Sequence, residues 1–350
     1  MLLILLLLFF LMCLYRVDIK LTGFHGDYLS KAKTNSIKGI FIIIVFFKHA
    51  LGYLNEANYG YGALGDSSFV WIICSQAQLI VVMFLFYSGY GVGESFKVKG
   101  RDYIKGFPRR RILTTLLNFD VAVIIFTIMG LLLDTGEPLS NLPLALLGWE
   151  SMGNSNWYIF VVLLCYVFTW GVLSLPLTRS WQRLALLFAA CFLAMLLLSI
   201  FKDGTWWYDT ILSFPAGFCF STYKEAIEKY VKNHYWGVLV VLLTVFGAQF
   251  IGFYKGVYVD NLGITFNLMS IVFALLIVVL TMKVSINNKP LQWLGMNLFP
   301  IYIYMRIPMI LLAEKQPALI LTQPAVFVAV SLVVTLLIAY FYHFIQIKLK

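Results

Sequence analysis

The chain has 350 residues, of which 61% are hydrophobic, 17% aromatic and only 12% charged, whereas roughly a quarter of an ordinary soluble domain is charged. That composition excludes a soluble globular domain, and unbroken apolar runs of about 20 residues exclude the short alternating strands of an outer-membrane barrel. The net charge of +10 fits either a nucleic-acid partner or the cytoplasmic charge bias of a multi-pass membrane protein, and its distribution decides between them.

The opening stretch MLLILLLLFFLMCLY lacks the basic leading region and the small-residue cleavage site of a signal peptide. It reads as an extra short transmembrane helix, 1–15, followed by a polar cytoplasmic linker, 16–38. The remaining domain, 39–350, divides into ten spans at about 39–55, 69–93, 112–133, 157–175, 184–200, 207–223, 235–253, 263–282, 294–313 and 324–345. With the linker inside, the inside segments hold 21 of the 26 Lys and Arg, the outside loops hold three, and Lys48 and Arg306 fall within spans. This bias puts the N-terminus outside and the C-terminus in the cytoplasm. The +10 is then a topology signal, and a nucleic-acid partner loses its support. The expected fold is all-α, a polytopic integral membrane protein with ten core transmembrane helices plus the short N-terminal one. The five cysteines lie in or beside apolar spans without CxxC spacing and read as packing residues.

The span NSIKGIFIIIVFFKHALGYL, from Asn35 to Leu54, carries Lys48 and His49 side by side at its centre, where an ionisable group costs about 2.5–3.5 kcal/mol on insertion scales. His49 follows Lys38 by eleven residues, a rotation of about 20° and a rise of about 16 Å on a helix. Both therefore face one side, Lys38 at the cytoplasmic mouth and His49 near the midplane. That layout suits a long cytosolic cofactor threaded inward from an anionic headgroup. The next span ends SGYGVG, where Gly89, Gly91 and Gly93 permit close helix approach and Ser88 can donate a hydrogen bond near the entrance.

The loop KVKGRDYIKGFPRRR, Lys97 to Arg111, holds seven basic residues and one acid. Arg109, Arg110 and Arg111 stand where a helix begins, and guanidinium groups and helix N-termini both favour phosphates. The topology rule or an anionic lipid would by itself account for such a loop. Asp120 is the one carboxylate in a span interior and needs a partner. Contact with His49 would fix the imidazole tautomer, and contact with Lys48 would neutralise charge. Arg306 either lines the outer half of a cavity or ties to a carbonyl or a tyrosine hydroxyl. No two histidines have ligand spacing, so no metal is expected.

Together, SIKGI…KHALGYL, FLFYSGYGVG, YIKGFPRRRIL, GNSNWYIFVVLLCYVFTW and LQWLGMNLFPIYIYM, in this order over residues 35–345, resemble the membrane acyltransferase-3 family. The resemblance implies transfer of an acetyl or other short acyl group from cytosolic acyl-coenzyme A (acetyl-CoA or another acyl-CoA) to a sugar or glycan of the cell envelope, in the plasma or inner membrane. The partners implied are acyl-CoA, an envelope glycan acceptor and the lipid bilayer. Lys38 takes the place of the family's Arg or Lys, and His49 that of its catalytic histidine. The family's Arg-x-x-Arg is not matched, since Pro108 stands three residues before Arg111, and Arg306 stands where many relatives have a histidine. On this reading Lys38, Ser88 and Arg109 to Arg111 bind the cofactor, and His49, with Asp120, acts as general base or carries the acyl group. Asn154, Asn156, Trp157 and Arg306 meet the acceptor, although a helix cap and an interfacial tryptophan would explain the first three as well. The alternative function is a transporter or flippase for a glycan or lipid-linked precursor, with Lys48, His49, Asp120 and Arg306 as a relay.

Overall fold

The computed structural model describes residues 2–62, 64–76, 78–257 and 263–349. The first helix, α1 (Leu2–Leu14), is apolar all round, and Ile4, Leu7, Leu8 and Leu11 are more than half exposed on its outer side. Polar ties fix its two ends. The Leu2 amide donates to Asp66 Oδ1 (2.9 Å), and Asn288 Nδ2 donates to the Met12 carbonyl (2.6 Å).

The segment expected as a linker is ordered. Its first strand, β1 (Val17–Ile19), pairs antiparallel with β2 (Val284–Ile286), Val17 opposite Ile286. The helical fold therefore contains one short ladder, which composition dominated by apolar helices conceals. Lys283 Nζ donates to the carbonyls of Leu21 (2.8 Å) and Gly23 (3.2 Å) and lies 4.8 Å from the centre of the Phe24 ring. Tyr28 donates to Glu228 Oε1 (2.9 Å). Burial, and then the Glu228 charge, push its phenol pKa up and keep it a donor.

Ser30 caps α2 (Lys31–Glu56), accepting from the Lys33 amide, so the helix begins a full turn and more before the expected membrane entry at 39. The span expected at 69–93 is split into α3 (Leu64–Cys74) and α4 (Leu79–Phe107), with Ala77 between them outside the described residues. Beyond it the basic segment is helical rather than a loop. α4 bends at Gly100 (φ +52°), continues into a π-helical turn, Pro108–Leu113, and leads into α5 (Thr114–Leu133). Lys and Arg are good helix formers, Gly tolerates the bend, and Pro is accepted at the first position of a turn.

The rest of the chain is α6 (Leu142–Leu146), α7 (Trp157–Ser174), α8 (Ser180–Phe201), α9 (Ser213–Thr222), α10 (Lys224–Asn233), α11 (Tyr235–Tyr254), α12 (Ile264–Thr281), α13 (Lys289–Met296), α14 (Leu298–Tyr304), α15 (Arg306–Lys315), α16 (Pro317–Thr322) and α17 (Pro324–Ile345). Among the described residues, seven helical stretches are long and apolar enough to cross a membrane, the run from Asp66 to Leu133, interrupted between Cys74 and Leu79, counting as one. An eighth results if Lys289–Met296 and Leu298–Lys315, bent by 64°, form one crossing. α9, in the span drawn at 207–223, has ten residues, about 15 Å of helix against a hydrocarbon core of about 30 Å. The protein is a multi-pass membrane protein built from helices of very unequal length.

Two helix pairs approach so closely that only glycine fits at the crossing. A Cβ on Gly39 would overlap the Leu291 carbonyl, and one on Gly295 would overlap that of Asn35, which locks α2 to α13. Gly89 and Gly217 meet the Phe214 and Phe86 carbonyls in the same way and lock α4 to α9, with Gly93 against Ser221. Gly91, from the same small-residue run, has open space beside it. Phe46, Phe84, Phe86 and Phe214 fill the core around these crossings.

Candidate functional site

The unbroken helix α2 carries Lys38 and His49 on one face, both partly buried. Lys38 stands within electrostatic reach of Lys31 and Arg111. Arg111 is partly buried beside the Tyr103 and Tyr166 hydroxyls, while Arg109 and Arg110 are exposed. Elsewhere in this basic segment Lys97 pairs with Glu94 (3.1 Å) and Lys105 with Asp102 (3.7 Å). Lys38 and the three arginines have no acidic partner among the described residues. The expected helix N-terminus is absent, however, because Phe107 before the triplet is already helical (φ −61°, ψ −49°). The positive charge at this end therefore comes from side chains alone.

His49 opens at the other end. A cavity of about 240 Å³ is lined by Lys48, His49, Gln78, Trp157, Trp206 and Tyr302, among others. Gln78 precedes α4, Trp157 begins α7, and Trp206 lies in the short turn Thr205–Trp207. The cavity thus sits where α4 and α7 start, whereas Lys38 and Arg111 sit where α2 and α5 start. The His49 ring meets Tyr302 edge-on at 6.5 Å between centres, Tyr302 meets Tyr158 at 5.4 Å, and Ser88 lies beside the Tyr158 hydroxyl. Ser88 therefore stands among these interior tyrosines. Arg306, the first residue of α15, donates from Nε to the Tyr53 hydroxyl (3.1 Å). Its charge and that of Lys48 both reach the imidazole.

The structure does not bring Asp120 to this site. It forms no hydrogen bond or ion pair with Lys48 or His49 among the described residues, and its Oδ1 is buried without a partner. Helical rise puts residues at similar depth, but depth does not fix the face they present. Asn154 and Asn156 are turned into their own loop. Asn154 Oδ1 accepts from the Met152 amide (3.0 Å), and Asn156 Nδ2 donates to the carbonyls of Gly148 (3.0 Å) and Glu150 (2.9 Å). Asn156 gives α7 no side-chain cap. Trp157 alone of that trio lines the cavity.

The model of the acyltransferase-3 family, described as an acyltransferase domain, matches residues 32–344. The chain belongs to this family. It is accordingly a membrane acyltransferase, with the His49 cavity and the Lys38 cluster inside the matched region. No curated protein and no solved structure matches the chain.

Several residues around the acyltransferase's cavity escape sequence reasoning. Trp206 belongs to TWWYD, whose aromatics suggest an interfacial belt, and Gln78 is an ordinary polar residue at a helix start. Tyr302 was visible inside LQWLGMNLFPIYIYM, but nothing in that run singles out one tyrosine. Its edge-on contact with His49 emerges only when α14 packs on α2.

Proposed function

We propose that this acyltransferase moves an acetyl or other short acyl group from acyl-CoA to a hydroxyl of a cell-envelope sugar or glycan. One observation carries the reading: α2 holds Lys38, which with Arg111 has no acidic partner among the described residues, toward one end and a histidine-lined cavity toward the other. The phosphates of acyl-CoA bind Lys38 and Arg111, with Arg109 and Arg110 at the rim, and the thioester reaches inward along α2. The acceptor enters the opposite cavity, where Trp157 stacks on its ring. His49 takes the hydroxyl proton as the oxygen attacks the thioester carbonyl. The C–S bond then breaks, and the departing thiolate recovers that proton from the imidazolium. Tyr302 orients the ring.

In this reading the chain crosses the plasma or inner membrane with the Lys38 end in the cytoplasm, consistent with the charge bias of its loops. The bent pair α13–α15 is a feature that a transporter would share, and dependence on acyl-CoA separates the two functions. The test is transfer from labelled acetyl-CoA by the purified full chain. Arg111→Glu should raise the KM for acetyl-CoA by roughly tenfold or more, the loss of one charge-assisted phosphate contact, with a smaller effect on kcat. An unchanged KM would remove this cluster from the donor site.

A further inference from the structure

Lys48 carries a charge into the cavity and has no task in this scheme. It precedes His49 in α2, lines the same cavity of about 240 Å³, and has no hydrogen bond or ion pair among the described residues. The contact with Asp120 that would have neutralised Lys48 is not made among the described residues, and no Asp or Glu lines the cavity. Arg306 adds a second positive charge nearby, its Nε engaged by Tyr53. The site therefore has excess positive charge in walls of indole, phenol and aliphatic surface. An ammonium is a compact, strongly hydrated charge, and placing one within a membrane span is costly unless something charged meets it. A chain needing only a neutral sugar pocket would gain from Met or Leu here.

We propose that Lys48 binds an anionic group of the acceptor, a carboxylate or phosphate carried on or beside the sugar ring that receives the acyl group. The inference rests on reading the His49 cavity as the acceptor site, and it names the class of acceptor that site takes. Both side chains line the one cavity, so the charge contact and the base face the same bound acceptor. The acylated hydroxyl is thus close to the anion, with Trp157 and Trp206 offering ring faces and Gln78 an amide. Lys48 fixes which acceptor is held, and His49 acts on its hydroxyl.

The test is equilibrium binding to the purified full chain, without acyl-CoA, of three probes: a methyl hexoside, the matching methyl hexuronide and the matching hexose phosphate. The wild type should bind one charged probe about ten- to a hundredfold more tightly than the neutral one, the range of a charge-assisted hydrogen bond, and salt should reduce the difference. Which charged probe wins assigns carboxylate or phosphate. Lys48→Met should bring the ratio to about one, and Lys48→Arg should retain most of it. Equal binding of all three probes by the wild type would overturn the proposal. So would a charge preference that survives Lys48→Met. A parallel transfer assay separates the two readings. Charge-dependent binding without transfer from acetyl-CoA would refute the acyl-transfer scheme and leave the Lys48 assignment standing, whereas transfer indifferent to acceptor charge would refute Lys48 and leave the scheme.

Discussion

At the level of single residues, burial and hydrogen-bond partners separate structural polar groups from groups free to meet a substrate. Asn156 directs both amide protons to the carbonyls of Gly148 and Glu150. Asn156→Ala should therefore cost about 1–3 kcal/mol through two orphaned carbonyls, seen as a lower thermal midpoint with turnover per folded molecule largely kept. Asp120 presents the reverse case, a carboxylate with a buried, unpartnered oxygen. Asp120→Asn should leave the thermal midpoint unchanged or higher and retain most of the turnover. A hundredfold loss of turnover would return Asp120 to the catalytic group. His49 was legible because an ionisable residue in an apolar run is conspicuous, and Lys38 because helical spacing links it to His49. Tyr302 and Trp206 were not, since aromatic residues in a membrane chain serve packing and interfacial anchoring far more often than binding.

Among the elements, the crossings of α2 with α13 and of α4 with α9 hold the site in register. α2 brings His49, and α4 follows Gln78 and carries Ser88, so a shift at either crossing changes the cavity. Gly217→Val puts three heavy atoms where the Phe86 carbonyl already stands. It should lower the thermal midpoint by several degrees and reduce the yield of monodisperse protein, whereas Gly91→Ala, with open space beside it, should match the wild type. Helix identity was readable from apolar run length, but helix ends were not. The α4 continuation past Phe96 depends on Lys and Arg being good helix formers as well as topology markers, and the shortness of α9 follows from a non-helical segment, residues 208–212, placed inside an apolar stretch. The β1–β2 ladder joins segments more than 260 residues apart, a pairing that no local pattern encodes.

Over the whole molecule, the proposed function divides the acyltransferase into a donor end at Lys38 and Arg111, an acceptor end at the His49 cavity, and a helix joining them. The division predicts opposite accessibility of the two ends. Single cysteines replacing Lys105 and Lys315 should differ under an impermeant maleimide, position 315 reacting in intact cells and position 105 only after permeabilisation. Reaction of both in intact cells would contradict the assigned orientation. The family and the multi-pass class were legible from motif order and composition, whereas the cavity was not, because it joins α2, α4, α7, α14 and the Thr205–Trp207 turn. The most direct test of the central claim is the rate at which purified, folded His49→Ala transfers or hydrolyses the acyl group of labelled acetyl-CoA. Loss of a positioned general base predicts a fall of at least about a hundredfold with the thermal midpoint maintained. An unchanged rate in the folded variant would contradict the assignment of His49 as the group that drives acyl transfer.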